Sequence, residues 1–135
     1  MPRKLKSIPR PRKPRVDIAK LAQFFAQQPD VVVAYLFGSV AKGTARPQSD
    51  VDVAVLFDAR LDRFARADRF LDLLGRIPSE LSTHEFDLRL LNDTTPVFLA
   101  QVIGSGEPIY ARSRREQIDF EVRAMTEYID TQPLR

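Results

Sequence analysis

The sequence predicts an α/β fold of the α+β kind, a small β-sheet flanked by helices, and three observations predict it. Residues 31–37 form a short, β-branched and almost wholly apolar run, and residues 51–56 alternate valine with other residues. Apolar residues at helical spacing precede the first run and follow the second. The chain has 135 residues, of which 44% are hydrophobic and 29% charged. These values suit one folded domain.

The first two elements have clear boundaries in the sequence. A helix is expected over about 17–28, because Asp17 is a suitable N-cap and Pro29 interrupts the apolar pattern. The run at 31–37 then predicts a central strand covered on both faces, which Gly38 ends. In the strand that starts at Val51, the alternation places every second side chain on one face.

The next elements follow from periodicity. A second helix is expected from a stripe that would form its inner face, with Gly75 and Pro78 ending it; the stripe is Leu61, Phe64, Ala67, Leu71 and Leu74. A third strand is expected where Phe86, Leu88 and Leu90 alternate with charged residues. A short helix over 96–103, a turn at 104–106 and a short strand at 108–110 follow.

The last helix carries two sets of apolar residues. One face is expected to comprise Ile118, Val122, Met125 and Ile129. Phe120 and Tyr128 fall off this stripe. They either mark an exposed patch for a partner or pack in the core.

The composition excludes several classes of function. Without cysteine, the chain has no disulfide, thiolate metal site or cysteine nucleophile, and a reducing, cytoplasmic location is the default. The longest apolar runs are about seven residues, against the roughly 18–20 that a membrane-spanning helix needs. We expect a soluble cytoplasmic protein without a membrane partner.

The charge is concentrated at the amino terminus. Residues 1–15 hold seven of the 21 Lys and Arg and no acid, which leaves 14 basic against 18 acidic side chains in residues 16–135. Four of the ten prolines also lie there. Residues 1–16 are therefore expected to be a disordered, solvated arm before a domain at 17–135. The alternative is that the arm contacts nucleic acid through phosphates.

The candidate chemistry lies where the first two strands meet. Gly38 at a strand end allows close approach of a ligand, and a helical turn after Ser39 would direct N–H groups at phosphate oxygens. Asp50 and Asp52 would lie about 6–7 Å apart on one strand face. Carboxylates at this spacing suit divalent cations such as Mg²⁺. With Asp87 on another strand, the set predicts two-metal nucleotidyl transfer.

These residues resemble a known family. The string from Gly38 to Asp52, GSVAKGTARPQSDVD, is similar to the GSxxxG…SDxD signature of polymerase-β-type nucleotidyltransferases in their minimal form, the MNT domain. The resemblance covers about residues 17–135 and implies a small mixed β-sheet flanked by helices. Family members more often carry Arg at the position of Lys42, and Lys cannot form a bidentate fork with phosphate.

The resemblance also implies roles and partners. Asp50 and Asp52 would bind two Mg²⁺ ions, Asp87 would complete the site of the catalytic metal, and Gly38 and Ser39 would hold the triphosphate of ATP. Similar short MNT chains are antitoxins that transfer AMP to a tyrosine hydroxyl of a HEPN RNase toxin encoded next door. This implies an adenylyltransferase antitoxin.

Two other functions stay open. The chain could mask a toxin without catalysis, or modify a small-molecule hydroxyl such as that of an aminoglycoside. Only 48 residues follow Asp87, too few for the separate substrate domain of such an enzyme. His84, the only histidine, is expected to be a surface residue, and the glycines at 104 and 106 a turn and not a phosphate loop.

Overall fold

The structure, a computed structural model, describes residues 17–38, 51–81 and 86–133. Within these ranges lie four strands and four helices. The strands are β1 (Val31–Phe37), β2 (Val51–Phe57), β3 (Phe86–Leu90) and β4 (Glu107–Ala111). The helices are α1 (Ile18–Ala26), α2 (Arg63–Leu81), α3 (Pro96–Ser105) and α4 (Arg114–Asp130).

The strands form one mixed sheet in the order β3-β2-β1-β4. β1 is antiparallel to both β2 and β4, whereas β2 and β3 are parallel. The α+β class is therefore confirmed. None of the helices within the described ranges is long and apolar enough to cross a bilayer.

The sheet separates two hydrophobic cores. The first lies against α1 and α2 and includes Phe25 and Leu73. The second lies against α3 and α4 and includes Leu99 and Phe120. Because β1 is buried on both faces, its continuous apolar run follows directly from its central place in the sheet.

The expected end of α2 is wrong. The helix continues through Gly75 and Pro78 to Leu81, although proline removes one backbone hydrogen bond. Leu73 and Ile77 are buried in the first core, and Leu81 packs against it. This packing on both sides of the proline favours the helix over its local propensity.

The stripe expected on α2 is only partly confirmed, since Leu61 and Leu74 pack against the first core, and the apolar face expected on α4 is the exposed one. On α2, Phe64 and Leu71 are exposed. On α4, the whole stripe is exposed and the residues that meet the sheet are Phe120 and Ala124; the stripe is Ile118, Val122, Met125 and Ile129. The Phe120 ring lies 6.2 Å from the ring of Tyr35 on β1, so of the two alternatives for Phe120 the structure selects the core.

The turn expected at 104–106 is shifted. Gly104 and Ser105 belong to the last turn of α3, and Gly106 is its C-cap, with its N–H donating to the Val102 carbonyl. A Cβ at position 106 would lie 2.3 Å from that carbonyl oxygen, so the cap requires glycine. The stretch is a helix end and not a phosphate loop.

Candidate active site

Two of the carboxylates named from the sequence are neighbours across two strands. Asp52 on β2 lies in register with Asp87 on β3. Adjacent strands lie about 4.8 Å apart, and side chains at matched positions of a parallel pair point to the same face. The structure therefore places Asp52 and Asp87 side by side. Like charges at such positions are unfavourable without a cation between them.

This pair lies on the sheet face that α3 and α4 cover in part. The valines on either side of Asp52, at 51 and 53, belong to the first core, so Asp52 points to the opposite face. Leu88 belongs to the same core, which places Asp87 on that face too. The Asp87 side chain is 43% exposed, so the carboxylates lie where the face opens to solvent.

Gly38 closes one side of the site. It has φ +74°, a backbone conformation that favours glycine, and follows Phe37, which is in register with Asp52. A Cβ at position 38 would lie 2.3 Å from a carboxylate oxygen of Asp52 and 3.2 Å from its Cγ. Only glycine therefore lets the strand end and this carboxylate approach so closely.

Arg89 lies at the same opening. Its Nε donates to Asp87 Oδ2 over 3.0 Å, and more than half of its side chain is exposed. The sequence patterns did not single out Arg89. The signal that could have found it is the alternation of β3, which places residues 87 and 89 on one face. The pair is a surface ion pair that a cation or an anion can displace.

An aromatic pair lies beside Asp52. The rings of Phe37 and Phe98 meet edge to face with centroids 5.7 Å apart. One pleat further along β1, the Tyr35 hydroxyl donates to Glu121 on α4 over 2.5 Å. Burial and the neighbouring Glu121 carboxylate raise the pKa of Tyr35 well above its usual value. Tyr35 is therefore a protonated structural link between β1 and α4.

Several predicted residues lie outside the described ranges. These are Ser39, Lys42, Asp50 and His84. Among the residues that are described, no three acidic, histidine or cysteine side chains form a metal-binding group. The third carboxylate of the proposed set is Asp50, so the described part holds two of the three. Two adjacent hard oxygen donors and the close approach at Gly38 fit a divalent cation.

A cavity of about 590 Å³ lies at the opposite end of the sheet, between α4 and the residues after β2 and β3. Of the predicted site residues that the structure describes, Gly38, Asp52 and Asp87, none lines it. On its wall Asp58 accepts from Arg60 over 3.2 Å and pairs with Arg112 over 2.9 Å. These hydrogen bonds, from Arg60 first, hold the pKa of Asp58 well below its usual range. Because arginines already neutralise its deepest acid, the cavity is less suited to a metal than the Asp52 end.

Residues 19–115 match the model of the family described as Polymerase beta, Nucleotidyltransferase. The chain belongs to this family. A curated relative of this nucleotidyltransferase is Protein adenylyltransferase MntA of Shewanella oneidensis, 30% identical over 100 residues, which are 74% of this chain and 68% of the relative.

Solved structures agree with this assignment. A crystal structure of a toxin-antitoxin with AMP-PNP is 28% identical, with a TM-score of 0.62 over 84% of this chain and 89% of that one. A crystal structure of the toxin-antitoxin MntA-HepT is 26% identical, with a TM-score of 0.59 over 85% and 86%. The resemblance to MNT antitoxins that residues 38–52 and Asp87 carry is confirmed by the family match, the curated relative and these structures together.

Proposed function

We propose that this nucleotidyltransferase is an antitoxin that transfers AMP from Mg-ATP to a tyrosine hydroxyl of a HEPN toxin and so inactivates it. The observation that carries the proposal is the register of Asp52 with Asp87 next to Gly38, in a chain of this family. The relative's name, a protein adenylyltransferase, and a neighbour solved with the ATP analogue AMP-PNP support the class of reaction.

Each residue of the site has its own role in this proposal. Asp50 and Asp52 hold two Mg²⁺ ions, and Asp87 completes the site of the catalytic one. Bound Mg²⁺ supplies charge stabilisation for an in-line displacement at phosphorus. Gly38 and Ser39 would bind the triphosphate, since the backbone at Gly38 carries no side chain and lies directly against the Asp52 carboxylate. The exposed side of Asp87 leaves the acceptor a path from solvent.

The reaction balances without another reagent. The tyrosine oxygen forms a bond to the α-phosphorus of ATP, and the bond from that phosphorus to the β-phosphate bridging oxygen breaks. The products are the tyrosine AMP ester and pyrophosphate. The phenolic proton passes to a carboxylate of the site or to water.

Intact-mass measurement tests this proposal. The purified chain is mixed with the toxin encoded beside it, ATP and Mg²⁺, with and without EDTA, and the masses of both chains are recorded. We expect the toxin to gain one or more AMP units only with the metal, and peptide mapping to locate them on tyrosine. A stable complex without mass gain would favour masking, and neither gain nor complex would favour a small-molecule acceptor.

The division of the chain is part of the proposal. Residues 17–135 form the domain, which acts in the cytoplasm, and the basic residues 1–15 form an arm that adds weak contact to nucleic acid. Deleting residues 2–15 is expected to remove salt-dependent RNA binding and leave AMP transfer unchanged. RNA binding that survives the deletion would contradict this role of the arm.

A further inference from the structure

The exposed stripe of α4 is an unusual surface for a helix that is packed on a sheet. Phe120 and Ala124 fix which side of the helix faces inward. At 3.6 residues per turn, Val122 is rotated about 200° from Phe120, so the stripe points directly away from the sheet. No described residue covers it, and it extends over about 16 Å. We call Ile118, Val122, Met125 and Ile129 the outer stripe.

The spacing of the outer stripe identifies what can bind it. The intervals from 118 to 122, 125 and 129 are four, three and four residues, the a and d spacing by which one helix packs against another. The solvent-facing side of a surface helix ordinarily carries charged and polar residues, and the outer stripe departs from this. The shape therefore fits a second amphipathic helix.

The charges around the outer stripe indicate which charges its partner should carry. Arg114 and Arg115 are exposed in the first turn of α4, and lie on either side of the stripe near Ile118. Cations at a helix N-terminus oppose the helix dipole, so they do not stabilise α4 itself. Arg115 has only a loose pair with Asp119, at 3.9 Å. This end of the surface thus favours a partner that carries acidic side chains.

The size and position of the outer stripe indicate which partner this is. Four residues are far fewer than the roughly 20–30 per side of a stable interface, so a pair of α4 helices alone is too small to hold two copies together. The occupant must also contact the protein elsewhere. α4 is tied by Glu121 to Tyr35, whose register partner Ala54 lies two residues from Asp52. The outer stripe and the Asp52 and Asp87 pair therefore lie on the same side of the sheet, where one toxin can contact both.

We infer that the outer stripe docks an amphipathic helix of the toxin, with an acidic segment of that helix against Arg114 and Arg115. This inference rests on the proposed function for the identity of the partner. It assigns binding to the outward face of α4 and chemistry to the Asp52 and Asp87 end of the sheet. The two roles can therefore be lost separately.

A pair of matched variants tests the inference. Val122→Asp places a charge in the outer stripe, and Leu71→Asp places the same charge on the exposed face of α2; the two side chains are 61% and 64% exposed. With the purified toxin, we expect Val122→Asp to raise Kd and the KM for toxin by at least about tenfold and to leave kcat unchanged. Leu71→Asp should stay within about twofold of the wild type. Circular dichroism checks that both variants fold.

The outcomes separate this inference from the proposed function. If the wild type binds toxin but transfers no AMP, the proposed function fails. The effect of Val122→Asp on the Kd for toxin still shows whether the outer stripe is the docking site. Toxin affinity of Val122→Asp equal to that of the wild type would overturn the inference. Sedimentation that shows a wild-type dimer, made monomeric by Val122→Asp with toxin affinity unchanged, would assign the outer stripe to a second copy and overturn it as well.

Arg115→Glu gives an independent measure of the polarity. We expect weaker toxin binding and a smaller dependence of Kd on salt, because the variant removes an attractive charge pair across the interface. Tighter binding by Arg115→Glu would mean that the facing segment is basic and would contradict the inferred polarity.

Discussion

The two ends of strand β2 each carry an aspartate, in opposite surroundings. At the far end, Asp58 pairs with Arg60 and Arg112, and the Asn92 side chain exchanges two hydrogen bonds with the backbone of Phe57. At the near end, Asp52 lies beside a second carboxylate, Asp87. At the far end two arginines pair with one carboxylate, whereas at the near end two carboxylates lie in register and Arg89 pairs with Asp87.

This difference separates a structural acid from a reactive one. Asp58 is mostly buried and needs its arginines, because an uncompensated buried carboxylate is costly. Asp52 and Asp87 are carboxylates at matched positions of neighbouring strands, and a divalent cation bound between them would stabilise both charges. One strand therefore supports folding at one end and gives the site its cation affinity at the other.

The largest effects are expected when Asp52 or Asp58 is replaced by asparagine. Asp52→Asn is expected to lower AMP transfer by about 10²-fold or more, because it removes a metal ligand. Asp58→Asn should lower the melting temperature and leave kcat unchanged. Mass spectrometry and calorimetry measure the two effects. If Asp58→Asn lost AMP transfer with its fold intact, the purely structural role of Asp58 would be refuted.

The glycine at the near end gives the second largest effect. Gly38→Ala is expected to destabilise the protein by about 1–2 kcal/mol and to weaken nucleotide binding, because it strains a positive φ and crowds Asp52. Gly75→Ala is the matched control, since its Cβ would meet nothing within 4 Å and α2 should gain about 0.5–1 kcal/mol. Urea denaturation measures both. A neutral Gly38→Ala would show that the close approach is not required.

Acid pH should reduce the stability that Asp58 contributes at the far end of β2. The pKa of Asp58 in the folded protein is lowered from 3.8. The ionised carboxylate therefore contributes fully to stability above the pKa that Asp58 has in the unfolded chain, and this contribution is lost as the pH falls through its pKa in the folded protein. The difference in unfolding free energy between wild type and Asp58→Asn, about 1 kcal/mol for the charged pair, should be constant from pH 5 to 7 and shrink below about pH 4. A difference independent of pH would contradict this ion-pair account.

The smallest effect is expected at Arg89. Arg89→Gln removes a cation that pairs with Asp87, so Mn²⁺ binding without nucleotide should tighten by about threefold, measured by electron paramagnetic resonance. Stability should change by less than about 0.5 kcal/mol, because the pair is exposed. Arg63→Gln, an exposed change on α2, is the control and should leave Mn²⁺ affinity unchanged. Weaker Mn²⁺ binding in Arg89→Gln would mean that Arg89 supports the site.

Much of the fold was predictable from the sequence. The boundaries of β1 and the start of β2 follow from their apolar runs, and Asp17 is the N-cap of α1 as its position suggests. Alternation correctly separated Asp52 and Asp87 from their core-facing neighbours. These are local properties, and a period of two residues admits few alternatives for a strand beside a core.

The helix faces were not predictable in the same way. On α4, an apolar stripe at ideal spacing competes with Phe120 and Ala124, and periodicity cannot tell which set meets the sheet. Packing decides it, since Phe120 fits beside the ring of Tyr35 and Glu121 accepts its hydroxyl. The same holds for α2, whose burial of Leu73 and Ile77 carries the helix past Pro78.

Local pattern and the chemistry of single side chains were enough to predict the family, the strands and the residue types of the site. Long-range packing makes Asp52 and Asp87 neighbours, pairs Arg89 with Asp87 and turns the outer stripe away from the core. The reason is physical: strand register and helix rotation are set by contacts between residues distant in the chain, which no local period encodes.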